Sequence, residues 1–210
     1  MSTSGSSSEK YDRLAAGFSE REYADPEVYS ARRAQLFVEL GPRLDPGATV
    51  VDLGCGDGIM AGPLIGHGLH YIGVDSSEQM VEAGRRRHPG VEFVAAPQEE
   101  YEPREQVDAT LCLRAFYYPE DRVAFFRKVA GYTKVKFVFD FRQAEHSAES
   151  VLADVRAAGF SKIELRPFLT PQRRALPGVA LSVLGLVERT GPLALWLSKR
   201  FGRVFCSASV

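Results

Sequence analysis

Two carboxylates, Asp52 and Asp57, accompany a run of glycines in Val50-Val51-Asp52-Leu53-Gly54-Cys55-Gly56-Asp57-Gly58, and a third, Asp75, follows about twenty residues after the turn. Gly54 and Gly56 carry no Cβ, so the chain can turn tightly there and a ligand can reach the backbone. Asp75 ends the next apolar run, the position from which a carboxylate holds ribose hydroxyls. A loop for a dinucleotide pyrophosphate reads GxGxxG and carries no negative charge. Here the glycines run GxGxG, with Asp52 before them and Asp57 among them. Two carboxylates would repel a pyrophosphate. They suit an adenosine ligand of positive character. A nicotinamide-dependent oxidoreductase remains the weaker alternative, since it also calls for a hydride-site Tyr/Lys or His arrangement that the chain does not display.

Strands must deliver these residues to one edge. Apolar, β-branched runs at Thr49–Gly54, Tyr71–Asp75, Val91–Ala96, Val107–Leu113 and Val135–Phe141 are short, and several are continuously apolar, as buried parallel strands are. Helical patterns separate them. Ser77–Arg87 has acids early and Arg85, Arg86 and Arg87 late, in accord with the helix dipole. Pro119–Gly131 and His146–Ala158 follow the fourth and fifth runs. Tyr11–Leu40 is expected to be helical and to cover the sheet. Ser161–Leu169 and Arg203–Val210 are read as two further strands, with an interrupted apolar segment over 170–202 between them.

The whole chain has 210 residues, 45% hydrophobic and 25% charged, as a single globular domain requires. Twenty-six basic residues against 27 acidic give a net charge of −1, without the basic footprint of a nucleic-acid binder. The triple-arginine helix end is read as solvated. No apolar run is long and uncharged enough for a spanning helix. Residues 1–10 are Ser-rich and polar, without the apolar core of a secretory signal, and are expected to be a disordered lead-in to one domain over 11–210. Cys55, Cys112 and Cys206 are scattered, with no metal-ligand spacing, so no metal is expected and a reduced, cytoplasmic protein is the reading.

VVDLGCGDG followed by YIGVD resembles the first glycine motif and the adjoining acidic motif of class I S-adenosylmethionine-dependent methyltransferases of the small-molecule type. The likeness covers roughly Tyr11 to Phe141. It implies a Rossmann-like α/β fold: a seven-stranded, mainly parallel sheet with an antiparallel last strand and helices on both faces. It also implies a cofactor, S-adenosylmethionine, and a product, S-adenosylhomocysteine. Asp52 would then orient the methionyl amine. Gly54, Cys55 and Gly56 would offer backbone to the methionyl and ribose parts. Asp75 would take the ribose hydroxyls, Ser76 would flank the adenine, and Met80 would join the cofactor-binding set. Where the family commonly has an Asp to read the adenine amino group, this chain has Pro97, which supplies neither an acceptor side chain nor an N–H. Gln98 beside it is the substitute, through its amide and its own backbone N–H, and Glu99 belongs to the same cofactor-binding set. Leu113 and Arg114 would close over the methionyl group, and Tyr11, Tyr23 and Arg32 would belong to an N-terminal lid over 11–41.

Methyl transfer needs alignment and exclusion of water, and only sometimes a base. His146, Tyr117 and Arg114 are the catalytic candidates, because they follow the fourth and fifth strands. Asp140 is expected to pair with Arg142 or Arg114. His67, His70 and His88 lie away from the expected site. The acceptor is read as a small, apolar molecule (aromatic, polyketide, quinone-like or lipid) methylated at oxygen, nitrogen or carbon. Leu176–Leu197, with Trp196, is read first as a helix packed on the sheet or a dimer contact, next as a roof over that acceptor, and last as a peripheral membrane contact; Glu188-Arg189 marks one wet face. Monomer and homodimer both fit. A non-catalytic binder of the cofactor is the other rival reading.

Overall fold

A computed structural model describes residues 4–209. Seven strands form one sheet in the order β3-β2-β1-β4-β5-β7-β6: β1 (Thr49–Leu53), β2 (His70–Asp75), β3 (Glu92–Ala95), β4 (Val107–Cys112), β5 (Thr133–Phe141), β6 (Lys162–Phe168) and β7 (Arg203–Ser209). Strands β1 to β5 pair in parallel, while β7 runs antiparallel to both β5 and β6. Each strand expected from the apolar runs is present. The strand order reverses between β1 and β4, so a crevice opens beyond their carboxyl ends.

Before β1 lie α1 (Ser4–Leu14), α2 (Phe18–Glu22) and α3 (Pro26–Glu39). The polar lead-in expected over residues 1–10 is therefore helical from Ser4 onward; residues 1–3 fall outside the described residues. A single helix expected over Tyr11–Leu40 is three, because Gly17 takes a left-handed φ of +63° and Asp25 starts a new helix by accepting from Val28 N at 3.0 Å. After β1 come α4 (Ala61–Gly66), then α5 (Glu78–Arg87), α6 (Arg122–Tyr132) and α7 (Ala148–Ala157). Side chains of Ser77, Asp121 and Ser147 cap the last three by accepting an amide N–H. Between β6 and β7 the expected interrupted segment forms α8 (Gly178–Glu188) and α9 (Pro192–Phe201).

Alternate strand residues face opposite layers, and both layers are buried. Val50, Leu111, Val138 and Phe205 pack under α3 and α4 with Phe37 and Leu64. Val51, Leu53, Phe137 and Phe139 pack against α6 and α7 with Phe126, Val129 and Val155. Two buried charges, Lys136 and Asp140, interrupt the apolar run of β5. Lys136 is fully buried, and its Nζ donates to the carbonyls of Phe37 at 2.7 Å and Leu40 at 2.8 Å. These are end carbonyls of α3, where a cation opposes the helix dipole. Burial pulls this ammonium down to about 8. The contact fixes the C-terminus of α3 on the sheet, and α3 carries a residue that enters the site.

Candidate functional site

The turn after β1 is held by bonds that leave its ligand-facing surface open. Gly54 and Cys55 both donate their N–H to Val74 O, at 2.8 and 3.0 Å. Asp75, at the end of β2, accepts from Gly56 N at 2.8 Å and from Ser77 N at 2.9 Å. Gly54 has φ +72°, and a Cβ there would stand 2.6 Å from Ala115 Cβ. Asp57 also borders the cavity, but its carboxylate is spent on its neighbours: it accepts from Ser19 N and Oγ in α2, at 3.1 and 2.6 Å, and from Arg87 at 2.9 Å. Asp57 is thus a staple between the glycine turn, α2 and α5. Arg87 also pairs with Glu20, and Arg85 donates to Phe93 O, so the expected solvated helix end is in part structural.

Below this turn lies a cavity of about 570 Å³, within the roughly 300–1,000 Å³ of small-ligand sites. Asp52, Gly54, Cys55, Gly56, Asp75, Ser76 and Met80 line it from β1, β2 and α5; Pro97, Gln98, Glu99, Leu113, Arg114 and Tyr117 from the loops after β3 and β4; Tyr11 and Tyr23 from the N-terminal helices. Two expected residues are not among its lining, Arg32 and His146. Arg32 points the other way and donates to Thr170 Oγ1, Leu181 O and Glu188 Oε2, anchoring α8. His146 stacks on Tyr117 with ring centroids 5.7 Å apart and lies edge-on to Phe116. Burial and the nearby Arg122 charge lower its pKa.

Arg33, which the sequence reading passed over, does enter the cavity. It is buried against the rings of Tyr29 and Tyr23, donates to Tyr23 Oη at 3.3 Å, and has its Nη2 3.6 Å from Asp140 Oδ2. Its Nε and Nη2 make no hydrogen bond. A helical phase was the available signal: Tyr29, Ser30, Arg33, Ala34 and Phe37 form one buried stripe, and Arg32 lies outside it. Asp140 pairs with Arg203 and Arg33 and accepts the Arg114 backbone N–H at 2.6 Å. Arg142 instead pairs with Glu145. Burial pushes the Asp140 carboxyl up, but Arg203 and Arg33 outweigh it and leave its pKa below the usual value. Arg114 sits at φ +60°, and its guanidinium reaches Tyr23 Oη at 3.2 Å and Glu22 at 3.4 Å.

Asp52 is the electrostatic counterpart of Arg33. It is buried and accepts a hydrogen bond from Tyr71 Oη at 2.8 Å. Burial raises its pKa to about 7, while the Tyr71 bond and the Arg33 charge hold it down. One end of the cavity therefore offers a carboxylate that gains from a cation and a guanidinium with unused N–H groups. That pair complements an ammonium and a carboxylate carried by one ligand, as an α-amino acid carries them. At the other end Gln98 spends its amide on Ala115 O, at 2.9 Å, leaving Pro97, Glu99 and backbone to face the ligand. Near the mouth, Tyr11 and Tyr118 join their hydroxyls at 2.6 Å, and Tyr11 meets Phe18 edge-on.

Strand order and antiparallel β7 are those of the class I methyltransferase fold, and residues 50–136, which include the glycine turn, match the family model described as a methyltransferase domain. The likeness to methyltransferase domains lies in that segment. Among curated proteins it is similar to a ubiquinone biosynthesis O-methyltransferase of Bradyrhizobium diazoefficiens, with 30% identity over 92 residues, 42% of this chain and 36% of that protein. It is also similar to a trans-aconitate 2-methyltransferase of Azoarcus sp., with 36% identity over 88 residues, 41% of this chain and 33% of that one. The matched part spans about a third of the length of these relatives. Among solved structures, the 4+2 cyclase SpnF has a TM-score of 0.71 at 18% identity, over 99% of this chain and 96% of that one. Magnesium protoporphyrin IX methyltransferase of Synechocystis, solved with bound SAM, has a TM-score of 0.59 at 18% identity, over 87% and 77%. At these identities the structural likeness is one of fold.

Proposed function

We propose that the chain is an enzyme that transfers a methyl group from S-adenosylmethionine to a small, apolar acceptor. The observation that carries this reading is the pairing of buried Asp52 with buried, under-bonded Arg33 at one end of the cavity, beside the glycine turn and Asp75. The two side chains would hold the amine and carboxylate of the methionyl part. Asp75 would accept the ribose hydroxyls, and the loop Pro97–Glu99 would border the adenine. When bound, S-adenosylmethionine supplies an electrophilic methyl on a sulfonium, and S-adenosylhomocysteine is the product.

The chain's own contribution is alignment and dryness. Aligning two reactants can lower a barrier by about 7–11 kcal/mol. Tyr11, Phe18, Tyr117 and Tyr118 line the mouth with aromatic surface, which suits a flat, ring-bearing acceptor such as a quinone-like or polyketide molecule. That the named relatives include O-methyltransferases of ubiquinone biosynthesis supports oxygen as the accepting atom. Burial pushes the Tyr117 hydroxyl above its ordinary value, so Tyr117 orients rather than abstracts a proton. Arg114 would face the acceptor and favour a negatively charged oxygen on it. Neither a nucleic-acid substrate nor a metal enters this reading. Monomer and homodimer are both compatible with it.

The test is calorimetric titration with S-adenosylhomocysteine and, separately, with NAD, on wild type and Asp75→Asn. Tight binding of the first that the variant weakens, and no binding of NAD, is the expected result; binding of NAD alone would overturn the reading. Acceptors are then screened by mass spectrometry for a methyl increment. A second reading, a cofactor-binding protein that does not methylate, is favoured by the Pro97 departure and by likeness to a protein named as a cyclase. Binding without any methyl increment across ring-bearing acceptors would select it.

A further inference from the structure

Five of the seven large apolar side chains that stand exposed among the described residues lie on the α8–α9 pair. On α8, Val179, Val183 and Leu186 recur at helical spacing on one face, exposed by 79%, 53% and 68%. On α9, Leu193 and Trp196 stand exposed, and Lys199 and Arg200 continue the same face. None of these residues lines the cavity, so the expected roof over the acceptor is not formed by them. The inner side is anchored instead. Glu188, expected to mark a wet face, is buried and bonded to Arg32 and to Leu169 N. The two helices meet at a bend of 118°, and each is about half the length needed to cross a bilayer.

Charge decides what would cover such a face. From Pro171 to Arg203 the cations are Arg173, Arg174, Arg189, Lys199, Arg200 and Arg203, and Glu188, which is buried, is the sole acid. Arg203 is taken up by buried Asp140, Arg173 pairs with Glu22 and Arg189 with Glu39, while Arg174 precedes α8 and Lys199 and Arg200 close α9, so the apolar stripe is bordered by exposed cations in excess of its acids. A second copy of this chain would bring the same cationic border against it. An anionic lipid surface complements both parts, taking apolar side chains below its headgroups and cations among them, with a tryptophan at the boundary. We propose that α8 and α9 are a peripheral docking face for an anionic lipid bilayer. The segment leading into α8 is tied to the cavity wall: Gln172 and Arg173 bond Glu22, whose carboxylate also pairs with Arg114. Docking does not depend on the methyltransferase reading, and affinity for S-adenosylhomocysteine is a separate measurement.

Trp196 is the only tryptophan of the chain, so its fluorescence reports this face alone. The full chain is mixed with vesicles of phosphatidylcholine, with and without phosphatidylglycerol, and followed by emission and co-sedimentation. The expected result is a blue shift and partitioning onto the anionic vesicles that is at least about ten-fold stronger than onto phosphatidylcholine and weakens with salt. V183E/L186E should lose at least about ten-fold of that partitioning with an unchanged far-ultraviolet spectrum, and K199E/R200E should lose the preference for anionic lipid. Quenching of wild-type Trp196 by brominated phospholipid gives the same answer without a variant. No partitioning onto anionic vesicles, or no quenching, overturns the proposal. So does a lipid-free blue shift that rises with protein concentration alongside dimer formation, because a second copy would then cover the face.

Discussion

At the carboxyl edge of β1 and β2, side chains and backbone are used twice. Asp75 pins the glycine turn through two amide groups and still borders the cavity; Asp57 ties three elements together; Asp52 is bonded on one side by Tyr71 and faces the cavity on the other. Along α8 and α9 the same economy is absent. Ion pairs of Arg32 with Glu188 and of Arg189 with Glu39 attach α8, while the side chains of its outer stripe stand exposed. The contrast has a physical reason. A site must fix polar groups against a small ligand, which costs desolvation and is tolerated only where each group is partnered. A docking face needs area and charge, and its partner supplies the contacts. Substitutions at the edge should therefore alter ligand binding, and those on the helix pair should alter surface behaviour or stability alone.

The largest effect should come from Gly54→Ala. A Cβ at φ +72° and 2.6 Å from Ala115 is expected to cost about 2–4 kcal/mol and to abolish binding of S-adenosylhomocysteine, checked by thermal melting and calorimetry. The neighbours Arg32 and Arg33 sharpen the contrast further. Arg33→Met should weaken S-adenosylhomocysteine about 10–100-fold, the value of a charge-assisted bond. Arg32→Met should leave that affinity within about two-fold but destabilise the fold by about 3 kcal/mol, because buried Glu188 loses its cation. Equal effects of the two on ligand affinity would break the comparison.

Asp52 gives a pH signature. Its folded-state pKa of about 7 lies above the ordinary 3.8, so the ligand-free fold binds more protons than the unfolded chain between those values. Stability of the ligand-free protein should fall as pH rises from about 4 to about 7, while affinity for a cationic ligand rises through pH 7 as the carboxylate forms. Affinity at pH 8 is expected to exceed that at pH 6 by about ten-fold, and Asp52→Asn should flatten both profiles. The smallest effect belongs to His146→Ala. A base contributes about 10²–10⁴-fold, so a change in kcat below about two-fold would place His146 in the support of Tyr117 rather than in proton transfer.

Much of the glycine-turn end of the cavity was legible from residue types alone. Local rules act there: a glycine turn after a buried strand, and an acid at the end of the next. Those rules located Asp52, Gly54, Gly56 and Asp75 without tertiary information. They missed Arg33 in favour of Arg32, because a single helical step separates the cavity from the α8 anchor. They also favoured His146, whose place after β5 is near the carboxyl edge of the sheet although its ring turns onto Tyr117.

The amino-acid sequence by itself determined the seven strands, the parallel core of the sheet and the chemical character of the turn, since each follows from short-range periodicity and from what glycine and aspartate can do. Only the tertiary structure decided which charges meet. Lys136 caps α3, Asp140 gathers Arg33 and Arg203, and Glu188 closes on Arg32 across 156 positions of chain. Such pairs form because burial penalises a lone charge, and no local pattern records which distant partner relieves it.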